Sequence, residues 1–129
     1  MFSLESHHAA TGCRLVILDD GRAATAYFHG PDGDILGDVW LYNRVAPPES
    51  LSLDAVPPFL NPLGAPLDQA LPDTPDVLAV AWTYDADVLW ADVLVRGVVL
   101  ARLSPGSQPG WNRLAEHEGP LAVPFPPDA

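Results

Sequence analysis

Lysine is absent from this 129-residue chain, and six arginines are its only strong bases. Against seventeen Asp and Glu they leave a formal net charge of −11. A surface of that sign repels phosphate backbones and anionic membranes and speeds encounter with basic partners. Nucleic acid and membrane are therefore not expected as partners, whereas a basic protein is. Cysteine occurs once, at Cys13, so no intramolecular disulfide can form. It opens the apolar run to Leu18, where a small buried hydrophobe is expected rather than an exposed, reactive thiol. No window approaches the ~18 consecutive apolar residues of a spanning helix. Residues 1–10 lack the basic-then-apolar pattern of a signal peptide, so the expected location is the cytoplasm.

Catalytic signatures are missing too. There is no glycine-rich phosphate loop, no Gly-x-Ser-x-Gly elbow and no His-Glu-x-x-His. The histidines at 7, 8, 29 and 117 do not have the spacing of a zinc module. Asp32, Asp34 and Asp38 fall near Gly33, but the twelfth position of a calcium loop would be Asn43 instead of Glu. No metal and no cofactor is expected.

What remains is a mainly β pattern of one domain, residues 1–129. Three β-branched, apolar runs open it, Thr11 to Leu18, Arg22 to Phe28 and Ile35 to Val45. Asp19-Asp20-Gly21 suits a hairpin loop closed by a left-handed Gly21, and His29 to Asp34 is a dense turn signal. Residues 46–76 carry eight prolines, which exclude a long helix or a central strand. Their leucines, with Val56 and Phe59, argue for an ordered loop packed on the core, with a helical turn near Ser52 to Ala55.

A second meander follows, Val77 to Tyr84, Val88 to Val95 and Val98 to Leu103, with turns at Asp85-Ala86-Asp87 and Arg96-Gly97. A loop of Asp85 to Asp87 places Trp82 opposite Trp90 and Val80 opposite Asp92; a two-residue turn at Arg96-Gly97 pairs Val95 with Val98 and Val93 with Leu100. The Val88 strand is apolar on both faces and is expected to be central. Trp111 to Glu118 has the spacing of a short helix ended by Gly119. The expected fold is thus two three-stranded antiparallel meanders forming a sandwich, a small barrel or a bent sheet, with one short C-terminal helix.

Two groups of side chains stand out. Strict alternation puts Asp38, Trp40, Tyr42 and Arg44 on one face of their strand, and with Asp32 and Asp34 they form a candidate partner-binding surface. Trp82, Trp90 and Asp92 form a candidate pocket. Asp92, mid-strand among apolar residues, needs a partner such as Arg102, Arg14 or a backbone donor.

The segment Gly37-Asp38-Val39-Trp40-Leu41-Tyr42-Asn43, with Pro58-Phe59-Leu60-Asn61-Pro62 beyond it, resembles small bacterial immunity proteins of interbacterial toxin systems. The resemblance covers residues 37–62 and brings no catalytic residues with it. It implies a compact protein that binds and blocks a toxin. The leading expectation is a non-catalytic acidic binding protein. The alternative is a small-ligand-binding or catalytic β domain with its pocket near Trp82, Trp90 and Asp92. Mimicry of nucleic acid ranks last, because the Asp residues sit in turns rather than rows. Exposed strand edges could also pair two copies into a homodimer.

Overall fold

Alternation of apolar and polar residues builds eight strands in the computed structural model, which describes residues 2–21, 23–43, 74–113 and 122–123. They are β1 (Phe2–His8), β2 (Cys13–Asp19), β3 (Ala23–His29), β4 (Ile35–Asn43), β5 (Leu78–Asp85), β6 (Val88–Val95), β7 (Val98–Leu103) and β8 (Trp111–Asn112). A 3-10 turn at Pro75–Val77 leads into β5. Strands β1-β2-β3-β4 form one antiparallel sheet and β5-β6-β7-β8 a second, each in sequence order. Each sheet is thus four-stranded, one strand more than each expected meander.

The turns follow from backbone chemistry. Gly21 sits at φ +88°, where Asp19 Oδ1 accepts its N–H at 2.9 Å and Asp20 Oδ1 accepts that of Ala23 at 2.9 Å. Both bonds suit short acidic side chains in a tight loop. Arg96 and Gly97 are both left-handed and close a two-residue turn, so Val95 pairs with Val98 as expected. Leu100 is then extra: Val93 faces Ala101 across a bulge rather than Leu100. β6 is central, flanked by β5 and β7.

One core joins the sheets. Leu15, Ile17, Ala26, Phe28 and Val39 from the first meet Ala91, Val93, Leu100 and Leu103 from the second. Each large side chain buried in this way contributes about 1.5–3 kcal/mol. Cys13 is in this core, as the sequence implies. Along β4 the connection from β7 to β8 docks through main-chain bonds. Gly106 donates to Leu36 O at 2.7 Å, Asp38 to Ser107 O at 2.9 Å and Gly110 to Asp38 O at 2.7 Å. On the opposite side, Trp82 Nε1 donates to Ser6 Oγ at 2.9 Å and its ring meets Phe28 edge-on at 5.7 Å.

The expected C-terminal helix is corrected at its start. Trp111 and Asn112 form a strand against Arg102 and Ala101, and the buried Asn112 amide donates to the carbonyls of Trp40 and Leu41. That bond ties β8 to the first sheet, which helical spacing could not do. Residues 114–118 of that segment lie outside the described residues, as do residues 46–73 of the proline-rich loop (46–76), including the expected helical turn near Ser52 to Ala55.

Candidate functional site

Two turns carry exposed carboxylates to one end of the molecule. Asp32 and Asp34 are exposed in the turn between β3 and β4, where Gly30 N–H donates to Asp34 O at 2.8 Å and Gly33 takes φ +89°. The turn between β1 and β2 lies beside it; a Cβ on Gly12 would come within 3.2 Å of Pro31 Cβ. Just before that turn, the His8 ring packs on Tyr84 at 5.8 Å and on Trp82 at 5.3 Å. Tyr84 immediately precedes Asp85, so the exposed Asp85 and Asp87 of the β5–β6 turn reach the same end. None of these four carboxylates makes an ion pair among the described residues.

The remaining members of the expected β4 surface do not join them. A β-bulge separates the pairs Thr25–Trp40 and Ala24–Tyr42, which turns Trp40 and Tyr42 to opposite faces. Tyr42 points into the core and is fully buried, and Trp40 on the other face is 1% exposed. Neither is open to a partner. Asp38 is half-buried on the outer face opposite Tyr27, and burial pushes its carboxyl pKa up from its ordinary value. Arg44 lies outside the described residues.

The expected pocket is also dispersed. Ala86 at φ +52° and Asp87 at φ +66° make a two-residue turn, so Asp85 pairs with Val88. Trp82 then faces Ala91, while Thr83 faces Trp90. This single-residue slip sends Trp82 to the inner face and leaves Trp90 and Asp92 on the outer one. Asp92 does find one of its expected partners, with Arg102 Nε 2.7 Å from Oδ1. The guanidinium lies over the Trp90 ring at 4.9 Å and the Trp111 ring at 5.8 Å, and the two indoles pack at 5.0 Å. Asp92 is thereby committed to fixing a cation against two aromatic faces.

Sequence reasoning did not single out Asp85, Asp87 or the His8–Trp82–Tyr84 cluster. The two aspartates were visible as turn residues. Their placement at the same end as Asp32 and Asp34 depends on how the sheets pack, which no local pattern encodes. His8 Nδ1 lies 2.8 Å from Thr11 Oγ1, which anchors the ring at the end of β1. Among the described residues, no three His, Cys, Asp or Glu side chains converge as metal ligands would. None of the described helical segments is long and apolar enough to cross a membrane. The chain matches no protein-family model, no curated protein and no solved structure.

Proposed function

We propose that this chain is a non-catalytic acidic binding protein, most concretely an immunity protein of the cytoplasm that binds and neutralises a basic toxin. The observation that carries the reading is the placement of Asp32, Asp34, Asp85 and Asp87, exposed and without ion pairs among the described residues, in two turns at the same end of a chain of net charge −11. Such a patch raises association rate and rejects partners of like charge. The pocket reading loses its geometry, because Trp82 and Trp90 occupy opposite faces of the second sheet.

The test is capture of partners from native lysate by the tagged protein at low and high salt, beside a variant with all four aspartates changed to Asn. A basic partner held by the native chain at low salt, released by salt and missed by the variant supports the reading. Rescue of growth against that partner would then establish immunity. Capture indifferent to both salt and the four substitutions would rule the acidic surface out.

A further inference from the structure

Each sheet ends in two edges, and three of the four are covered or charged. The β4 edge is taken by the docked connection between β7 and β8. β8 is bridged by Val123. β1 carries Glu5 at its centre, held by Arg14 at 2.8 Å and His7 at 3.2 Å, and charge in mid-strand deters pairing. Among the described residues, β5 has no such protection. From Leu78 to Tyr84 it contains no charge, no proline and no bulge in its pairing with β6.

The β5–β6 turn determines which main-chain groups of β5 are free. A two-residue turn is closed by a pair that exchanges hydrogen bonds, here Asp85 and Val88. Alternation then directs Thr83, Ala81 and Ala79 toward β6, in phase with the 2.8 Å bond from Arg96 N–H to Val77 O. The N–H and C=O groups of Val80, Trp82 and Tyr84 point the other way, and none finds a main-chain partner among the described residues. The outer face of this edge is small, with Ala79, Ala81 and Thr83. On the inner side Tyr84, 60% exposed, and the half-buried Trp82 and His8 rings leave aromatic surface beside it. Exposed acids close both ends, Asp76 before the strand and Asp85 and Asp87 after it.

We infer that the β5 edge is the docking strand of this protein, accepting an extended basic segment of its protein partner as an added strand of the second sheet. Val80, Trp82 and Tyr84 supply the main-chain hydrogen bonds. Alternate side chains of the incoming segment lie over the His8–Trp82–Tyr84 aromatics, and its cationic groups meet Asp76, Asp85 and Asp87. The inference rests on the acidic-binder reading and specifies how that partner is held.

The probe is a fluorescent octapeptide of alternating arginine and valine, beside the same peptide N-methylated at alternate amides, with binding followed by anisotropy at low salt. Two protein variants accompany the native chain. Val80→Pro removes an N–H that makes no ladder bond, a substitution edge strands tolerate. Val80→Thr keeps that N–H. The expected result is binding to the native chain and to Val80→Thr, weakened at least about tenfold by Val80→Pro or by N-methylation. The N-methylated peptide needs no protein variant, so misfolding of Val80→Pro does not spoil the test. Equal, salt-sensitive binding of both peptides would overturn the docking strand while leaving the acidic-binder reading standing. No binding of either peptide would overturn the docking strand and weigh against the acidic reading as well. A native dimer dissociated by Val80→Pro would assign the edge to a second copy of the chain and also overturn the proposal.

Discussion

Tyr42 donates its hydroxyl to Asp19 Oδ2 at 2.7 Å inside the core, joining the end of β2 to the end of β4 across β3. Both side chains are at most 2% exposed, and the other oxygen of Asp19 takes the Gly21 N–H. The bulge in β4 makes this contact, because it turns Tyr42 inward onto the row of Ala24 and Asp19. Tyr42→Phe keeps the ring and removes one donor from a buried carboxylate. Its expected cost is about 1–3 kcal/mol. Urea unfolding reads this as a lowered midpoint at constant slope, and an unchanged midpoint would mean that the bond carries no net stability.

Gly37 is the point where the β7–β8 connection comes closest to β4. A Cβ there would lie 2.8 Å from Ser107 O and 2.9 Å from Ser104 O, both main-chain atoms with no flexible end to move aside. Gly37→Ala should therefore push the connection off β4 and strain the three bonds that dock it, at about 1–3 kcal/mol. Hydrogen exchange would show it locally, as faster exchange at the Asp38 and Gly106 amides. Native protection at both would show that the connection shifts without cost.

Local chemistry made much of this fold legible. Gly21, Gly33 and Gly97 announce their turns because few other residues suit a left-handed backbone. Arg102 could be named as a partner of Asp92, since a part-buried carboxylate in an arginine-poor chain has few choices. Two single-residue events were not legible. Nothing in Ala86-Asp87 advertises a two-residue turn, and that slip moves Trp82 away from Trp90. The bulge at Leu41 has no glycine to mark it, and it hides Tyr42. β1 was not legible as a strand, because its inner face passes from Phe2 and Leu4 to the polar Ser6 and His8. Its pairing with β2 is what makes it a strand.

Asp38 gives the stability a distinctive pH dependence. Burial raises its folded-state carboxyl pKa above the unfolded value. The native state then holds the proton more tightly, so the contribution of this group is largest below the unfolded pKa. It is lost as pH rises through the folded pKa. Asp38→Asn abolishes that titration. Unfolding measured across the acidic range should show the native chain losing stability relative to the variant as pH rises from the unfolded value through the raised folded one. A difference that does not vary with pH would mean that burial does not perturb Asp38.

Asp92 and Arg102 should behave as a coupled pair. Their side chains are 15% and 24% exposed, sheltered enough for the ion pair to outlast surface screening. A double-mutant cycle with Asp92→Ala and Arg102→Ala should give a coupling of about 1 kcal/mol. Arg102→Lys keeps the charge and loses the planar group over Trp90 and Trp111, so indole fluorescence should change even where stability barely does. Additive effects of the two alanine substitutions would show that the indoles alone hold the arginine in place.

Ala86 sits at φ +52° in the first position of the two-residue turn, a conformation that a Cβ disfavours by about 1–2 kcal/mol. Asparagine tolerates that region and is favoured at this position of primed turns. Ala86→Asn should therefore stabilise the chain by about 0.5–1 kcal/mol while leaving the charges of Asp85 and Asp87 in place. Because the substitution strengthens the register that frees Val80, Trp82 and Tyr84 along β5, binding of the basic octapeptide should persist as stability rises. A variant that is less stable than the native chain would indicate that the turn is not the primed two-residue type, and the assignment of the free edge groups would then shift by one residue.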